Sequence, residues 1–303
     1  MRVAKKTDFN KASVLILGGT GTLGIAILEY LTDHFPGCKI TILSRDEQKQ
    51  AIMRRAYPGV TFVIGDIRCR ASIARHFAGK NVVFHVAAMK HVDVCEENPM
   101  ECIKTNELGT MNAADCAIAA RVPNFVFSST DKAIDPINQY GRSKAAAECL
   151  LYGLNRSQQR TRFSVYRWGN VIGSNGSAVP IFADTLKRER TAYVTDERMT
   201  RFWLPIKWAT QFMLTTFSEA YTDKAMVLPA MKAAPVVDVV KCIADILMID
   251  DFKIQKIPIR AGEKIHEAMY SQHECDYTSK SAPQYSYEEL RELLKPIVLE
   301  AVS

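Results

Sequence analysis

Short apolar runs recur along the first half of the chain, each followed by a stretch with helical spacing. Positions 14–17, 39–43, 61–64, 82–88, 125–128 and 163–167 predict six strands. The run at 82–88 has so little polarity that it predicts a parallel strand buried on both faces. Positions 25–31, 106–120 and 140–152 predict helices, the last with Gly153 as its stop. Such alternation predicts an α/β fold, a Rossmann-like doubly wound parallel sheet with helices on both faces and right-handed crossovers. After about Asn170 the pattern loosens. Gly173, Ser174, Asn175, Gly176 and Ser177 form a loop cluster, short mixed elements with several prolines follow, and 285–299 predicts a terminal helix. The expected division is a basic extension over 1–11, a dinucleotide-binding domain over 12–170, and a smaller C-terminal domain over 171–303. Ligands in such sheets sit beyond the carboxyl ends of the strands, which makes the later segment the material for a substrate domain.

Composition narrows the class. The 303 residues are 48% hydrophobic and 24% charged, which excludes disorder, collagen and coiled coil as the main state. No apolar run of about 18 residues occurs, so no membrane span is expected. The nearest approach, 236–249, is broken by Asp238, Lys241 and Asp245. The N-terminal stretch is basic but lacks the apolar centre of a signal peptide, and the expectation is a soluble, cytoplasmic protein. Eight cysteines (Cys38, Cys69, Cys95, Cys102, Cys116, Cys149, Cys242 and Cys275) have no CxxC spacing, so free thiols and no metal site are expected. A net charge of +6 suits an anionic partner such as a phosphorylated small molecule. No basic, aromatic stripe suggests nucleic acid.

The first strand leads directly into Gly18-Gly19-Thr20-Gly21-Thr22-Leu23-Gly24 and then a helix. Gly18, Gly21 and Gly24 recur every three residues, which serves a tight turn, a bare backbone beside a pyrophosphate and close helix packing. The backbone of Thr20, Thr22 and Leu23 would meet the phosphates at the helix N-terminus. This context favours dinucleotide binding over a plain strand–helix turn. An NAD site would place Asp or Glu at the end of the second strand. Ser44 and Arg45 stand there, with Lys49 beyond, and a hydroxyl with two cations favours the 2′-phosphate of NADP over NAD, against a solvated arginine on a loop. Asp66 follows the third strand, where its carboxylate could accept the adenine amino group. Ile67, Ala87, Ala88 and Lys90 complete the expected cofactor shell.

The fifth strand ends in Ser128-Ser129-Thr130-Asp131-Lys132, and Tyr140 and Lys144 follow four residues apart, on one helix face. An ammonium beside a phenol lowers its pKa and makes a workable proton-transfer pair.

The glycine loop with Tyr140 and Lys144 resembles the extended short-chain dehydrogenase/reductases that act on nucleotide sugars. Further matching stretches are Ser44-Arg45-Asp46-Glu47, Ala87-Ala88-Met89-Lys90-His91-Val92, Ile103-Lys104-Thr105-Asn106, Ser129-Thr130-Asp131-Lys132-Ala133, Arg167-Trp168-Gly169-Asn170-Val171, Arg198-Met199-Thr200-Arg201-Phe202-Trp203 and Ile259-Arg260-Ala261-Gly262-Glu263-Lys264-Ile265-His266-Glu267. With these, the chain more closely resembles the soluble inverting UDP-N-acetylglucosamine 4,6-dehydratases, over about residues 12–275. The resemblance implies that Tyr140 with Lys144 takes the C4 hydroxyl proton, Lys132 is the C5 base, Asp131 the C6 acid, and Thr130 positions the sugar. It implies UDP-N-acetylglucosamine or a related UDP-sugar as substrate, held by Lys90, Asn170, Arg201, Arg260 and Glu263, and a homo-oligomer. His266 is a weaker candidate, and Trp168 and Trp203 read as packing. Departures from the family pattern fall at Cys69, Cys95, Arg142, Pro205 and Ala261. The other readings are a UDP-sugar 4-epimerase, a retaining dehydratase, and a non-catalytic NADP-binding regulator. The regulator should have lost Tyr140, Lys144, Asp131 or Lys132, and all four are present.

Overall fold

The computed structural model describes residues 7–174, 176–217, 226–260, 262–270 and 277–302. Residues 1–6 of the basic extension, Asn175 of the loop cluster, Ala261 and Cys275 lie outside the described residues. The chain forms two compact units, Met1–Arg167 with Thr210–Leu228, and Trp168–Ala209 with Pro229–Ser303.

In the first unit β1 (Ser13–Leu17), β2 (Lys39–Ser44), β3 (Thr61–Ile64), β4 (Val82–His85), β5 (Asn124–Thr130) and β6 (Arg162–Trp168) alternate with helices. The helices are α1 (Thr22–His34), α2 (Glu47–Ala56), α3 (Arg70–Ile73), α4 (Val92–Glu97), α5 (Pro99–Ile103), α6 (Gly109–Ala119) and α7 (Gln139–Ser157). The sheet has seven strands in the order β3, β2, β1, β4, β5, β6 and Met226–Val227. β1 pairs in parallel with both β2 and β4, so the strand order reverses beside it. That reversal is where ligands bind in a doubly wound sheet. The apolar runs became strands because both faces are covered: Val14, Leu15, Ile16 and Leu17 are all fully buried.

Three expectations need correction. The fourth strand ends at His85 rather than at position 88, because Val86 donates its last ladder-like bond to Leu17 and the chain then turns to the loop at 86–90. The helix expected over 106–120 begins earlier, with Pro99 at its first position, and passes through a π-helical turn at Lys104–Leu108. Gly153 does not stop α7, which runs on to Ser157. Tyr152 and Leu154 on either side pack against the core, and this packing outweighs the roughly 1 kcal/mol disadvantage of glycine in a helix. The first unit also includes Thr210–Leu228. There Phe217 packs on Phe9 and Phe84, with ring centroids 5.6 and 6.0 Å apart.

The second unit contains a three-stranded sheet of β7 (Asn170–Ile172), β9 (Thr200–Pro205) and Ala233–Pro235, with β9 central. A two-stranded ladder joins β8 (Thr191–Val194) to Lys253–Lys256. Helices α8 (Ala178–Glu189), Val236–Ile246 and Tyr287–Val302 enclose a core of Phe182, Leu186, Trp203, Ile243, Leu290 and Leu294. The terminal helix is the one expected over 285–299. Among the described residues no helix is long and apolar enough to cross a membrane, and no group of three or more candidate metal ligands occurs.

Candidate active site

The glycine loop leaves β1 at Gly18, whose φ of +81° is a left-handed conformation that disfavours any side chain. A Cβ there would lie 2.6 Å from the Ala87 backbone. Gly24 has the packing role, since a Cβ on it would come 2.5 Å from Gly19 Cα. Gly21 is exposed at the N-cap of α1 and offers no side-chain cap, so the helix N-terminus presents bare backbone. Thr22 and Leu23 form its first turn, and Thr20 is buried beneath. This cradle fits a dinucleotide pyrophosphate.

Beyond β2, Ser44 is buried and its hydroxyl accepts a bond from Gln50 Nε2 at 2.9 Å. Arg45 is largely exposed, with a loose 3.9 Å contact to Asp66. Lys49 is taken by Asp46, 3.5 Å away, so Arg45 is the more available of the two cations expected to meet a 2′-phosphate. Burial alone would raise the Asp66 pKa, but Arg68 bonds its carboxylate at 2.9 and 2.6 Å and holds it below the usual range. Ile67 is buried under Gly109 and its carbonyl accepts from Asn112 at 3.0 Å. Ala87 lies against Gly18, Ala88 and Lys90 are exposed, and Met89 between them is held from both sides by the Asn106 amide at 2.9 Å.

The catalytic candidates converge at the end of β5 and the start of α7. Asn138 caps α7 through Gly141 N at 2.7 Å. Thr130 Oγ1 donates to Asp131 Oδ1 at 3.0 Å, and Lys132 Nζ lies 3.1 Å from the same oxygen. Asp131 is fully buried, which rules out a solvated surface ion pair. Tyr140 is raised to about 12, first by burial and further by Asp131 and Cys95, while Lys132 and a hydrogen bond with Thr130 pull it down. Lys144 is buried, with Nζ donating to the Ser128 carbonyl at 2.5 Å and lying 3.9 Å from the Phe127 ring centroid. Burial lowers it to about 7 despite the opposing field of Glu148. The structure thus places Thr130, Asp131 and Lys132 at the end of β5, with Tyr140 in the field of Lys132 and Asp131 and Lys144 one helical turn on, its amine on the Ser128 carbonyl.

One contact fixes this arrangement. A Cβ on Gly141 would fall 2.1 Å from the Lys132 carbonyl oxygen, so the turn bearing Asp131 and Lys132 rests directly on α7. Gly141→Ala is expected to displace that turn and destabilise the protein by about 1–3 kcal/mol, the usual range for overpacking. Urea unfolding checks this, and a loss under about 0.5 kcal/mol would mean that the turn yields freely.

In the second unit Asn170 opens β7, in register with Trp203 of β9. Arg201 is buried and donates to the carbonyls of Thr200, Ile265 and Lys264 at 2.8, 3.0 and 2.8 Å. It braces the 264–265 backbone. Arg260 is exposed, and Glu263 folds back to its backbone N–H. His266 Nδ1 is bonded to Thr200 Oγ1 at 2.8 Å, a structural role. Trp168 and Trp203 are buried, as packing residues. Residues not picked out as site residues by the sequence are Asn106, Gly141, Glu148 and Arg167. Asn106 and Arg167 lay in stretches that carry the family resemblance, and Glu148 lies one turn after Lys144 on the same face.

Comparisons with known proteins bear on this site. The profile described as polysaccharide biosynthesis protein matches residues 14–289. A UDP-N-acetylglucosamine 4,6-dehydratase (inverting) of Campylobacter jejuni is 38% identical over 285 residues, covering 92% of this chain and 83% of that protein. A UDP-glucose 4-epimerase of Rickettsia rickettsii is 37% identical over 273 residues, covering 88% and 80%. Among solved structures, Pen from Bacillus thuringiensis superposes with a TM-score of 0.88 at 31% identity, covering 95% of this chain and 98% of its own. DesIV from Streptomyces venezuelae, a dTDP-glucose 4,6-dehydratase with NAD bound, shares the fold at 21% identity and a TM-score of 0.79.

Proposed function

The chain belongs to the polysaccharide biosynthesis protein family of extended short-chain dehydrogenase/reductases, and from that membership we propose that it is a UDP-N-acetylglucosamine 4,6-dehydratase that inverts C5. The carrying observation is the buried Asp131 in contact with Lys132, beside Tyr140 and Lys144. A 4-epimerase needs a proton acceptor at C4 only. A dehydratase also needs a base at C5 and an acid at the C6 hydroxyl.

A nicotinamide dinucleotide fits the Gly18–Gly24 cradle, and its chemistry would be to accept the C4 hydride and return it at C6. Arg45 and Ser44 favour NADP. Tyr140 takes the C4 hydroxyl proton, with the Lys144 ammonium stabilising the phenolate. Lys132 removes the C5 proton, made acidic by the adjacent ketone, and Asp131 protonates the departing C6 hydroxyl. The Asp131–Lys132 contact supplies the right starting state, because moving one proton across 3.1 Å converts the ion pair to a neutral acid and a neutral amine. Low dielectric around Asp131 favours that neutral form. The step leaves carboxylate and ammonium, water departs, and a proton delivered to the opposite face of C5 gives inversion. Lys90, Asn170, Arg201, Arg260 and Glu263 are the proposed UDP-sugar contacts. A cytoplasmic homo-oligomer completes the reading.

Incubation with UDP-N-acetylglucosamine in deuterated water, followed by NMR, tests it. The expected product is a 6-deoxy-4-keto sugar, deuterated and inverted at C5. A 4-epimerised sugar with no ketone would establish the epimerase instead, the activity named for the Rickettsia relative. Retained C5 geometry would remove the role given to Lys132. For the cofactor, Arg45→Asp is expected to weaken NADP at least tenfold while NAD changes little, which titration of protein fluorescence measures. An unchanged NADP affinity would mean that Arg45 is merely solvated.

A further inference from the structure

Tyr140, Lys144 and Glu148 follow one another at four-residue intervals on α7 and share one face. Glu148 and Arg167 have no part in the proton transfers described above, yet both are buried. Arg167, near the end of β6, bonds the Glu148 carboxylate through Nε at 2.9 and 3.1 Å and through Nη2 at 2.5 Å. A buried carboxylate with a bidentate guanidinium is a compensated charge. The charge it compensates sits one helical turn from the Lys144 amine.

The surroundings of Lys144 supply little else to set its charge. From β4 it faces His85, which burial keeps neutral at about 3. From α5 it faces the Cys102 thiol, and from its own helix Glu148. Glu148 in turn faces Tyr152 on α7 and Arg167 on β6. Tyr140 faces Lys132, Asp131, Thr130 and Cys95. Among the described residues that act on Lys144, Glu148 is therefore the full anion, and Arg167 is the group that offsets it.

We propose that Glu148 and Arg167 are positioning residues that together set the proton affinity of Lys144, the carboxylate drawing a proton to the amine and the guanidinium limiting that pull. Removing either partner alone should then move Lys144 in opposite directions. Glu148→Gln leaves Arg167 uncompensated and should lower the Lys144 pKa by about one unit, whereas Arg167→Met leaves the carboxylate uncompensated and should raise it by about one unit. The double variant should return close to the parent value. A purely structural salt bridge would lower the melting temperature of both single variants without opposite shifts.

The test is a pH titration of full-length protein labelled with 13C at the lysine ε-carbons, with the Lys144 signal assigned by its loss in Lys144→Met. Opposite shifts in the two single variants support the proposal, and shifts that are absent or of one sign overturn it. Should Arg167→Met not fold, Glu148→Gln, which keeps shape and volume, decides alone: a fall supports, no fall overturns. The effect on turnover rests on the dehydratase reading, and there the pH limb of kcat/KM should follow the titration. Opposite NMR shifts without any dehydration of UDP-N-acetylglucosamine would sink that reading and leave the proposal standing.

Discussion

Lys132→Met protein is expected to lose dehydration by about 10²–10⁴-fold in kcat, the span usual for removing a positioned general base. The first half of the reaction should survive. Tyr140 and Lys144 lie on α7, and their partners Thr130 and Ser128 belong to β5, so none of these contacts passes through the Lys132 side chain except its charge. Rapid mixing with UDP-N-acetylglucosamine should show the near-ultraviolet absorbance of reduced dinucleotide building up and persisting, with no deuterium entering C5 from deuterated water. Asp131→Asn should give a different pattern. The C5 proton would still exchange, because Lys132 remains, but loss of the C6 hydroxyl would stall without an acid. Exchange in one variant and none in the other assigns the two roles. Equal exchange in both would mean that another group is the base. A parent-like rate in both would return the chain to the 4-epimerase reading. In Lys132→Met protein the Tyr140 phenol also loses a cation that pulls it down, and some loss in the first half-reaction follows from that.

The sheet was legible because its strands are buried on both faces. A run such as 14–17 or 82–85 has no other way to hide four apolar side chains in a row, and flanking glycines and turn residues bound it. The strand–glycine–helix passage at 17–24 was legible for a related reason, since only glycine satisfies Gly18 at its φ of +81°. The extent of the helices was not. Nothing local distinguishes Gly153 as an interior residue, because the packing of Tyr152 and Leu154 that carries α7 through it comes from distant strands. The π-helical turn at Lys104–Leu108 is likewise a tertiary product, with Asn106 reaching Met89 and Ser143 at 2.9 Å.

The site divides along the same line. Thr130, Asp131, Lys132, Tyr140 and Lys144 lie within fifteen positions, and a strand end with a four-residue helical spacing suffices to bring them together. The contact of Gly141 with Lys132 and the pairing of Glu148 with Arg167 join elements whose mutual placement only the fold decides. Arg201 shows the limit most plainly. A guanidinium in a motif is suited to a phosphate and to backbone carbonyls alike, and only the fold shows the three carbonyls it holds.

Lys144→Met should abolish the C4 step and, in the same protein, remove a pH dependence from folding. Without the ammonium the Tyr140 phenolate loses its stabilising charge, and a loss of about 10³-fold in kcat lies within the range for general acid–base groups. The folding term follows from linkage. Lys144 titrates at about 7 in the folded protein. In the unfolded chain a lysine titrates at about 10.4, so between these values the unfolded state binds more protons and stability rises with pH. The slope from this one group is at most about 1.4 kcal/mol per pH unit. The stability so gained is fully lost below about pH 7, where the folded protein must protonate a buried amine, and complete above about pH 10, where the slope vanishes. Other groups titrate in the window, including Cys38, which burial raises to about 11 and which therefore acts in the opposite sense above about pH 9. Tyr140, raised to about 12, does the same above about pH 10. The quantity to measure is therefore the difference between the two proteins in urea unfolding free energy at pH 7, 8 and 9. Parent minus variant should climb steadily across that interval. A flat difference would mean that Lys144 keeps an ordinary lysine pKa in the fold, and the explanation of its role through desolvation would then fail while its place beside Tyr140 remained.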